Sequence, residues 1–358
     1  MNSVFGARKD EGSRRNYYDI HELLAVVSNV DMDLPNLFRK NGMAVGEIPK
    51  ILVQVDHDIT YATTDTSRAG LQAHYDEYDD TLFFEHPLSF SLLPVKLAVG
   101  HLVQPITYIH ATMSYYKFVR LFEPGYDLRK IVRLIMVLKL LQNNHVLIHA
   151  GCVDLDGKGI LIAAFADTGK TRSILSMCTG RNFRYLSDDL TLTDYDGTCF
   201  SFPSACTITS GTLRHTHLSL RTRALIKLKF LEAVYKMHPS RVARIKVPVE
   251  ALLPPDKVIP KTKADTIVFL EKGPHRVREI NKDEAASKLL AINQREIPWC
   301  TDPITRYYAY FNDEFDVEDL METERDIIER TVDKTDGCYI LRSRTDHYID
   351  IERILERD

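Results

Sequence analysis

Eight consecutive residues have the types and spacing of a loop that binds phosphate groups: Ala164, Phe165, Ala166, Asp167, Thr168, Gly169, Lys170 and Thr171. They follow the pattern G-x-x-x-x-G-K-[ST] at three of its four specified positions, with Ala164 in place of the first glycine. Gly169 permits the sharp turn that brings backbone N–H groups toward a phosphate. Lys170 supplies a positive charge to the β- and γ-phosphates, and Thr171 supplies a hydroxyl ligand for Mg²⁺. We therefore predict that these residues and Arg172 bind the triphosphate of ATP or GTP together with Mg²⁺.

The residues on either side of this loop predict a strand before it and a helix after it. Residues 159–163 are an apolar run typical of a buried strand, and residues 171–178 favour a helix. A helix that begins at the loop adds the positive end of its dipole to the site. The alternative interpretation is a T-G-K-T turn at a helix start that binds no nucleotide.

Two adjacent carboxylates, Asp188 and Asp189, follow a predicted strand at residues 184–187. A neighbouring strand of a parallel sheet would bring them to the edge at which the phosphate loop begins. One carboxylate can then hold Mg²⁺, while the other accepts the proton of an attacking hydroxyl. Which of the two has which role is left open, and adjacent carboxylates at a strand end are also common turn formers.

His149 is the third candidate for the site. It ends a predicted strand at residues 146–149, and Asp156-Gly157 lies between two further apolar runs. Because D-G between strand-like runs is typical of a hairpin, the chain can return His149 to the nucleotide. From the residue type alone, a single histidine is more often structural.

The order of these segments resembles the HPr kinase family, which belongs to the P-loop proteins related to phosphoenolpyruvate carboxykinase. The resemblance covers about residues 145–200, where a His, a hairpin, the phosphate loop, a helix and the Asp pair follow one another at matching spacing. Residues 266–270 and 338–341 match the family more weakly. The resemblance implies an α/β fold with a mixed sheet and a magnesium-dependent kinase that transfers the γ-phosphate to a hydroxyl.

The same resemblance implies individual roles. His149 would lie at the γ-phosphate, Lys170 would bind phosphate, and Asp188 and Asp189 would provide the base and, with Thr171, the metal ligands. HPr kinase, the prototype of the family, contains an R-G-x-G segment with a neighbouring Glu. This segment has no counterpart here. The acceptor is therefore left open between a small molecule and a protein serine, which is the acceptor in the prototype. A regulatory protein that binds nucleotide without acceptor chemistry is a further alternative.

A basic segment at residues 214–246 suggests another partner. Its only acidic residue is Glu232, and its basic residues are Arg214, Arg221, Arg223, Lys227, Lys229, Lys236, Arg241, Arg244 and Lys246. Such a run favours contact with a polyanion and allows an RNA-directed kinase as an alternative function. It is also typical of a solvated helix face.

Further along, composition and periodicity predict three regions. Residues 1–16 are polar and predict a disordered tail. Residues 17–125 predict an α+β region of unknown role, with strands at 51–55, 81–84 and 106–109. Residues 126–358 are assigned to the P-loop domain, beginning with a helix over residues 125–144 that has Asp127 near its N-terminus.

Composition excludes several classes of protein. The chain has 358 residues, 44% of them hydrophobic and 27% charged, with a formal net charge of −4, so it has no overall attraction to nucleic acid or anionic membranes. Its six cysteines form no C-x-x-C pair, which argues against a zinc site or a thioredoxin-like motif. No run reaches the apolar length of a membrane helix. We expect a cytoplasmic protein without membrane partners; the oligomeric state, including a homo-oligomer, is left open.

Overall fold

The computed structural model describes residues 15–41, 48–59, 66–69, 73–85, 94–119, 127–216, 218, 220–235, 243–344 and 348–355. The chain divides into two compact units. Unit 1 comprises Met1–Asn143 and Pro298–Thr323, and unit 2 comprises Asn144–Ile297 and Glu324–Asp358. Of the predicted tail, residues 1–14 lie outside the described residues, while Asn16 already begins the first strand.

Helices of six or more residues occur in both units. They are α1 (Leu128–Gln142), α2 (Lys170–Gly180), α3 (Ser210–His215), α4 (Thr222–Tyr235), α5 (Lys282–Glu296), α6 (Pro303–Phe311), α7 (Val317–Asp333) and α8 (Tyr348–Leu355). Shorter helical turns lie at Asn36–Phe38, Tyr115–Val119, Val249–Ala251, Pro255–Lys257 and Trp299–Thr301. No helix in the described ranges combines the length and apolar composition needed to cross a membrane.

Unit 1 contains one mixed sheet of nine strands in the order β3-β1-β2-β4-β9-β8-β7-β6-β5. Its strands are β1 (Asn16–Ile20), β2 (Leu24–Ser28), β3 (Arg39–Lys40), β4 (Lys50–Asp56), β5 (Ser67–Ala69), β6 (Ala73–Asp76), β7 (Thr81–Glu85), β8 (Lys96–Gly100) and β9 (Ile106–Thr112). The strands predicted at 51–55, 81–84 and 106–109 are thus confirmed. The pairs β2–β4 and β4–β9 are parallel.

The helix predicted over residues 125–144 is confirmed as α1 and lies in unit 1, whereas the predicted P-loop domain begins at residue 126. The side chain of Asp127 caps the helix by accepting a hydrogen bond from the backbone N–H of Arg129 at 3.1 Å. The helix packs against β2 and β4 of unit 1. Its buried Ile131 and Ile135 therefore belong to that unit, and the boundary falls at Asn143 rather than at residue 125.

Unit 2 contains a second mixed sheet. Its strands are β10 (His145–Ile148), β11 (Ala150–Leu155), β12 (Lys158–Ala163), β13 (Arg184–Ser187), β14 (Thr191–Asp194), β15 (Thr198–Phe200), β18 (Lys261–Lys272), β19 (Arg276–Glu279) and β20 (Gly337–Ser343). The order is β10-β14-β15-β18-β12-β11-β13, with β20 paired to β18 and β19 paired to β20. Two further strands, β16 (Cys206–Ile208) and β17 (Ile245–Val247), pair separately. An α/β architecture with mixed sheets is therefore confirmed.

The predicted hairpin at Asp156-Gly157 positions the strands of the site. Leu155 pairs with Lys158, so the loop has two residues, and both of them have positive φ, +53° at Asp156 and +93° at Gly157. Such a turn matches the twist of the flanking strands, and glycine takes the left-handed conformation without a steric cost. As a result β11 and β12 are antiparallel neighbours.

One edge of this sheet collects the ends of three strands. Because β11 is antiparallel to both β12 and β13, the start of β11 lies beside the ends of the other two. Ala150 pairs with Ala163, and Cys152 pairs with Ser187. The expectation that the Asp pair arrives on a parallel strand next to the phosphate loop is wrong in detail, since β11 lies between them. The antiparallel insertion nevertheless brings both to the same edge.

The helix after the loop is held by an apolar core. Its Ile174 and Leu175 are fully buried, in a cluster with Ile160 and Ile162 of β12. Full burial of one such side chain stabilises the fold by about 1.5–3 kcal/mol. These contacts fix the first turn of α2 relative to the sheet edge.

Candidate functional site

Residues 164–169 connect β12 with α2, and together with the first two residues of that helix they are referred to below as the 164–171 loop. The N-cap residue Gly169 has φ = +112°, and Asp167 has φ = +65°. Glycine adopts this region freely, and Asp is among the few other residues that tolerate it. Ala164 has no positive φ and is 1% exposed in the apolar core. Its Cβ is therefore accommodated, and alanine at the first glycine position causes no distortion.

The remaining residues of the predicted phosphate-binding segment are more open. Phe165, Ala166 and Asp167 are exposed, while Thr168 and Arg172 are half-buried. The hydroxyl of Thr168 donates to the carbonyl oxygen of Phe165 at 2.8 Å, which closes the loop on itself. The loop thus presents an accessible outer side next to the N-terminus of α2.

Lys170 and Thr171 are the first residues of α2, and both reach the predicted Asp pair. The Lys170 Nζ atom lies 3.5 Å from the backbone oxygen and 3.7 Å from Oδ1 of Asp189. The Thr171 hydroxyl donates to Oδ2 of Asp188 at 3.1 Å. Burial lowers the pKa of Lys170, and the Asp189, Asp188 and Glu296 carboxylates oppose this shift. These negative charges favour the ammonium form of Lys170.

Asp188 is a buried carboxylate with an unsatisfied oxygen. It is 3% exposed, and its Oδ1 atom has no hydrogen-bond donor within range among the described residues. Burial, followed by the charge of Asp189, raises its pKa to about 6, whereas Lys170 and the Thr171 hydroxyl lower it. The Cys206 thiol also lowers this pKa without satisfying Oδ1. An unsatisfied buried carboxylate oxygen is costly, and a bound cation would remove that cost.

Asp189 is the accessible member of the pair. Its side chain is 52% exposed, and Oδ1 lies 3.7 Å from both Lys170 Nζ and His149 Nδ1. Two polar groups therefore orient this carboxylate from the protein side. The exposed half of the side chain faces solvent.

His149 lies between β10 and β11, at the point where the chain passes from one part of the sheet to the other. Burial lowers the pKa of its imidazole, as does the Lys170 charge, while Asp189 and Glu296 oppose the shift. The ring is therefore neutral at neutral pH. Its backbone N–H donates to the Asn293 side-chain oxygen at 2.8 Å.

Two residues of α5 belong to this site although their sequence pattern gives no sign of it. Asn293 is 1% exposed and also donates a hydrogen bond to Oε1 of Glu324. Glu296 acts through its charge, which raises the pKa values of Lys170 and His149. Asn293 is 144 residues away from His149 along the chain. Nothing in the α5 sequence distinguishes these two positions from an ordinary helix.

A glycine permits the close approach of the strand to the Asp pair. A Cβ at Gly151 of β11 would lie 2.2 Å from Cδ1 of Ile174 and 2.7 Å from the backbone oxygen of Asp188. Both distances are shorter than real Cβ contacts. The absence of a side chain at Gly151 therefore sets the spacing between β11, α2 and Asp188.

The basic segment at 214–246 is divided among several elements. Part of the segment lies in helices α3 and α4, and residues 236–242, which include Lys236 and Arg241, lie outside the described residues. Arg223, Lys227 and Lys229 are exposed on α4. Arg244 instead contacts the 164–171 loop, with Nη2 2.9 Å from Oδ1 of Asp167.

The donor set fits a magnesium ion that is shared with phosphate. Within the described ranges, no three His, Cys, Asp or Glu side chains form a cluster that could hold a metal alone. Mg²⁺ is commonly held by one or two carboxylates together with substrate phosphates and water. The hydroxyl of Thr171 and the unsatisfied oxygen of Asp188 provide such a partial site.

A scan against models of known protein families matches none of them, and a search of curated proteins finds no match.

Proposed function

We propose that this protein binds ATP or GTP with Mg²⁺ and transfers the γ-phosphate to a hydroxyl of a small molecule or a protein serine. The proposal depends on one observation above all. The first two residues of α2, Lys170 and Thr171, lie against the carboxylates of Asp188 and Asp189 at the end of a glycine-containing loop. It also extends the resemblance to HPr kinase, whose P-loop fold we propose for unit 2.

The loop and Lys170 would bind the triphosphate. Backbone N–H groups at a helix N-terminus attract anions, and the dipole of α2 adds to this attraction. The Lys170 ammonium is nearly buried, at 8% exposed, so its charge is weakly screened by water. Phosphate oxygens would draw the ammonium group away from Asp189, because the distance of 3.7 Å between Lys170 Nζ and Asp189 Oδ1 is long for an ion pair.

Asp188 and Thr171 would hold the metal. Asp188 is the better ligand of the pair because it is buried, faces the Thr171 hydroxyl and has an oxygen without a donor. When bound, Mg²⁺ would neutralise charge on the phosphates. Asp188 must lose its proton to bind the ion, and its pKa of about 6 allows this at neutral pH.

Asp189 would accept the proton of the acceptor hydroxyl. Half of its side chain faces solvent, and Lys170 and His149 orient the rest. The neutral His149 ring would add no charge of its own to the site. It can instead form a hydrogen bond to the transferring group or to Asp189. In this proposal Lys170 acts in nucleotide binding and Asp189 in proton transfer.

Calorimetry with Mg·ATP and Mg·GTP tests the binding part of this proposal. Wild type should bind at least one of them, and Lys170→Ala should lose most of the affinity. Lys158→Ala is the control, because Lys158 is exposed at the opposite end of β12. Absence of binding by folded wild-type protein would end the proposal.

Labelled ATP incubated with cell extract, with metabolites and with RNA tests the transfer part. Asp189→Asn should keep nucleotide affinity and lose about 10²–10⁴-fold in turnover, the range expected for general-base catalysis. Equal turnover by Asp189→Asn and wild type would remove this residue from the chemistry. Release of inorganic phosphate alone would favour a nucleotide-gated regulatory protein.

One observation favours RNA as the acceptor or as a bound partner. Helix α4 exposes Arg223, Lys227 and Lys229. Within this helix the one acidic residue, Glu232, is half-buried and pairs with Lys229 at 3.9 Å. Phosphate contacts of this kind make binding strongly salt-dependent. RNA affinity that does not change between about 50 and 200 mM salt would exclude this role.

A further inference from the structure

A carboxylate lies on the exposed side of the 164–171 loop, where a negatively charged ligand is expected to bind. The side chain of Asp167 is 64% exposed, and its backbone has φ = +65°. Both of its oxygens contact one nitrogen of Arg244, at 2.9 Å for Oδ1 and 3.0 Å for Oδ2. A carboxylate in this position would repel a triphosphate unless a cation compensated for it.

Arg244 is held in place by its backbone while its side chain remains accessible. It immediately precedes β17, which pairs with β16, and its neighbour Ile245 is buried in the core of unit 2. The Arg244 side chain is 45% exposed. An exposed ion pair of this kind is weak, so the guanidinium can exchange one anionic partner for another at little cost.

We propose that Arg244 is a phosphate-binding residue of this site, held over the loop by Asp167 until a nucleotide is bound. This inference rests on the proposed function. When a triphosphate enters, its oxygens compete with Asp167 for the guanidinium. Asp167 contacts one nitrogen of this group, whereas a phosphate can accept hydrogen bonds from two of its nitrogens at once. Asp167 therefore orients Arg244 in the free protein and opposes nucleotide binding through its own charge.

The alternative is a purely structural role, in which the ion pair only stabilises the loop. The two roles differ in a double-mutant cycle. If Arg244 acts only through Asp167, its removal has no effect once Asp167 has been neutralised. If Arg244 contacts phosphate, its removal weakens binding in both backgrounds.

The experiment is calorimetric titration of Mg·ATP and Mg·ADP into wild type, Asp167→Asn, Arg244→Ala and the double variant, at low salt to limit screening. Asn is close in shape to Asp and tolerates positive φ. Because Asp167 and Arg244 are both exposed, the variants should still fold. Arg181→Ala is the matched control. Arg181 is an exposed arginine paired with Glu352 at 3.2 Å at the far end of α2, so its loss gives the same change in net charge.

We expect Asp167→Asn to bind Mg·ATP severalfold more tightly than wild type, because the substitution removes a negative charge from the 164–171 loop. We expect the double variant to bind about ten- to hundredfold more weakly than Asp167→Asn, the range for a hydrogen bond to a charged group. Arg181→Ala should match wild type. Equal affinities of Asp167→Asn and the double variant would overturn the role of Arg244 while leaving the proposed function intact. Failure of wild type to bind any triphosphate would overturn both.

Discussion

Substitution of Gly151 by alanine tests how the fold positions the Asp pair. The new Cβ would lie 2.2 Å from Cδ1 of Ile174, and because carbon atoms pack at about 3.5–4.0 Å, the methyl group must move by about 1.3 Å or more. The second clash is with the backbone oxygen of Asp188 at 2.7 Å, which must move by about half an ångström or more. Overpacking of this kind costs about 1–3 kcal/mol of unfolding free energy.

The two clashes have separable consequences. Ile174→Val removes Cδ1 and with it the first clash. The double variant Gly151→Ala/Ile174→Val should therefore be more stable than Gly151→Ala, although the lost methyl group reduces this gain in unfolding free energy by about 0.5–1.5 kcal/mol. It should not recover nucleotide binding, because the Asp188 carbonyl remains displaced. Since Mg²⁺ demands near-ideal geometry, we expect about a tenfold loss of Mg·ATP affinity in both variants.

Thermal unfolding followed by circular dichroism, together with calorimetry, measures the two effects. Gly180→Ala is the control, because a Cβ at Gly180 meets no atom within 4 Å; this variant should match or slightly exceed wild-type stability. Recovery of both stability and binding in the double variant would show that the Asp188 carbonyl does not transmit the effect. Wild-type behaviour of Gly151→Ala would refute the packing argument altogether.

Three further predictions concern buried polar groups. The pKa of Asp188 is raised to about 6, so its contribution to the stability of the free protein is present at low pH and is lost as pH rises through 6. The affinity for Mg·ATP should change in the opposite sense and rise about tenfold from pH 5 to pH 7, because only the ionised carboxylate binds the ion. An affinity that does not depend on pH, or one that depends on pH in the same way in Asp188→Asn, would contradict this. Asn293→Leu should destabilise the protein by about 1–3 kcal/mol in urea unfolding, because the buried N–H of His149 loses its acceptor; unchanged stability would exclude this hydrogen bond as a support of the site. Burial lowers the pKa of Lys139 to about 8. The free energy of unfolding should therefore rise between pH 8 and about 10.5, relative to Lys139→Met, by at most about 1.4 kcal/mol per pH unit. If the unfolding free energies of the two proteins depend on pH in the same way, the lowered pKa of Lys139 is contradicted.

Local signals allowed the elements of the site to be predicted from the sequence. The D-G turn at Asp156-Gly157, the apolar run before Ala164 and the helix after Gly169 are all encoded within a few residues. Turn chemistry and hydrophobic periodicity act over that distance, which is why such features can be read from one chain. The same reasoning found helix α1 but could not say which sheet it covers, because an apolar face does not specify its partner.

The sequence by itself determined the chemical types present: a loop that can turn at Gly169, an ammonium and a hydroxyl at the next two positions, and two carboxylates after a strand. Only the tertiary structure decided that antiparallel β11 lies between β12 and β13, and that Asn293 supports His149 from a helix far along the chain. It also decided which carboxylate is buried, Asp188, and which is exposed, Asp189. Strand order, burial and contacts between distant residues depend on how the whole core packs, and no short segment of sequence carries that information.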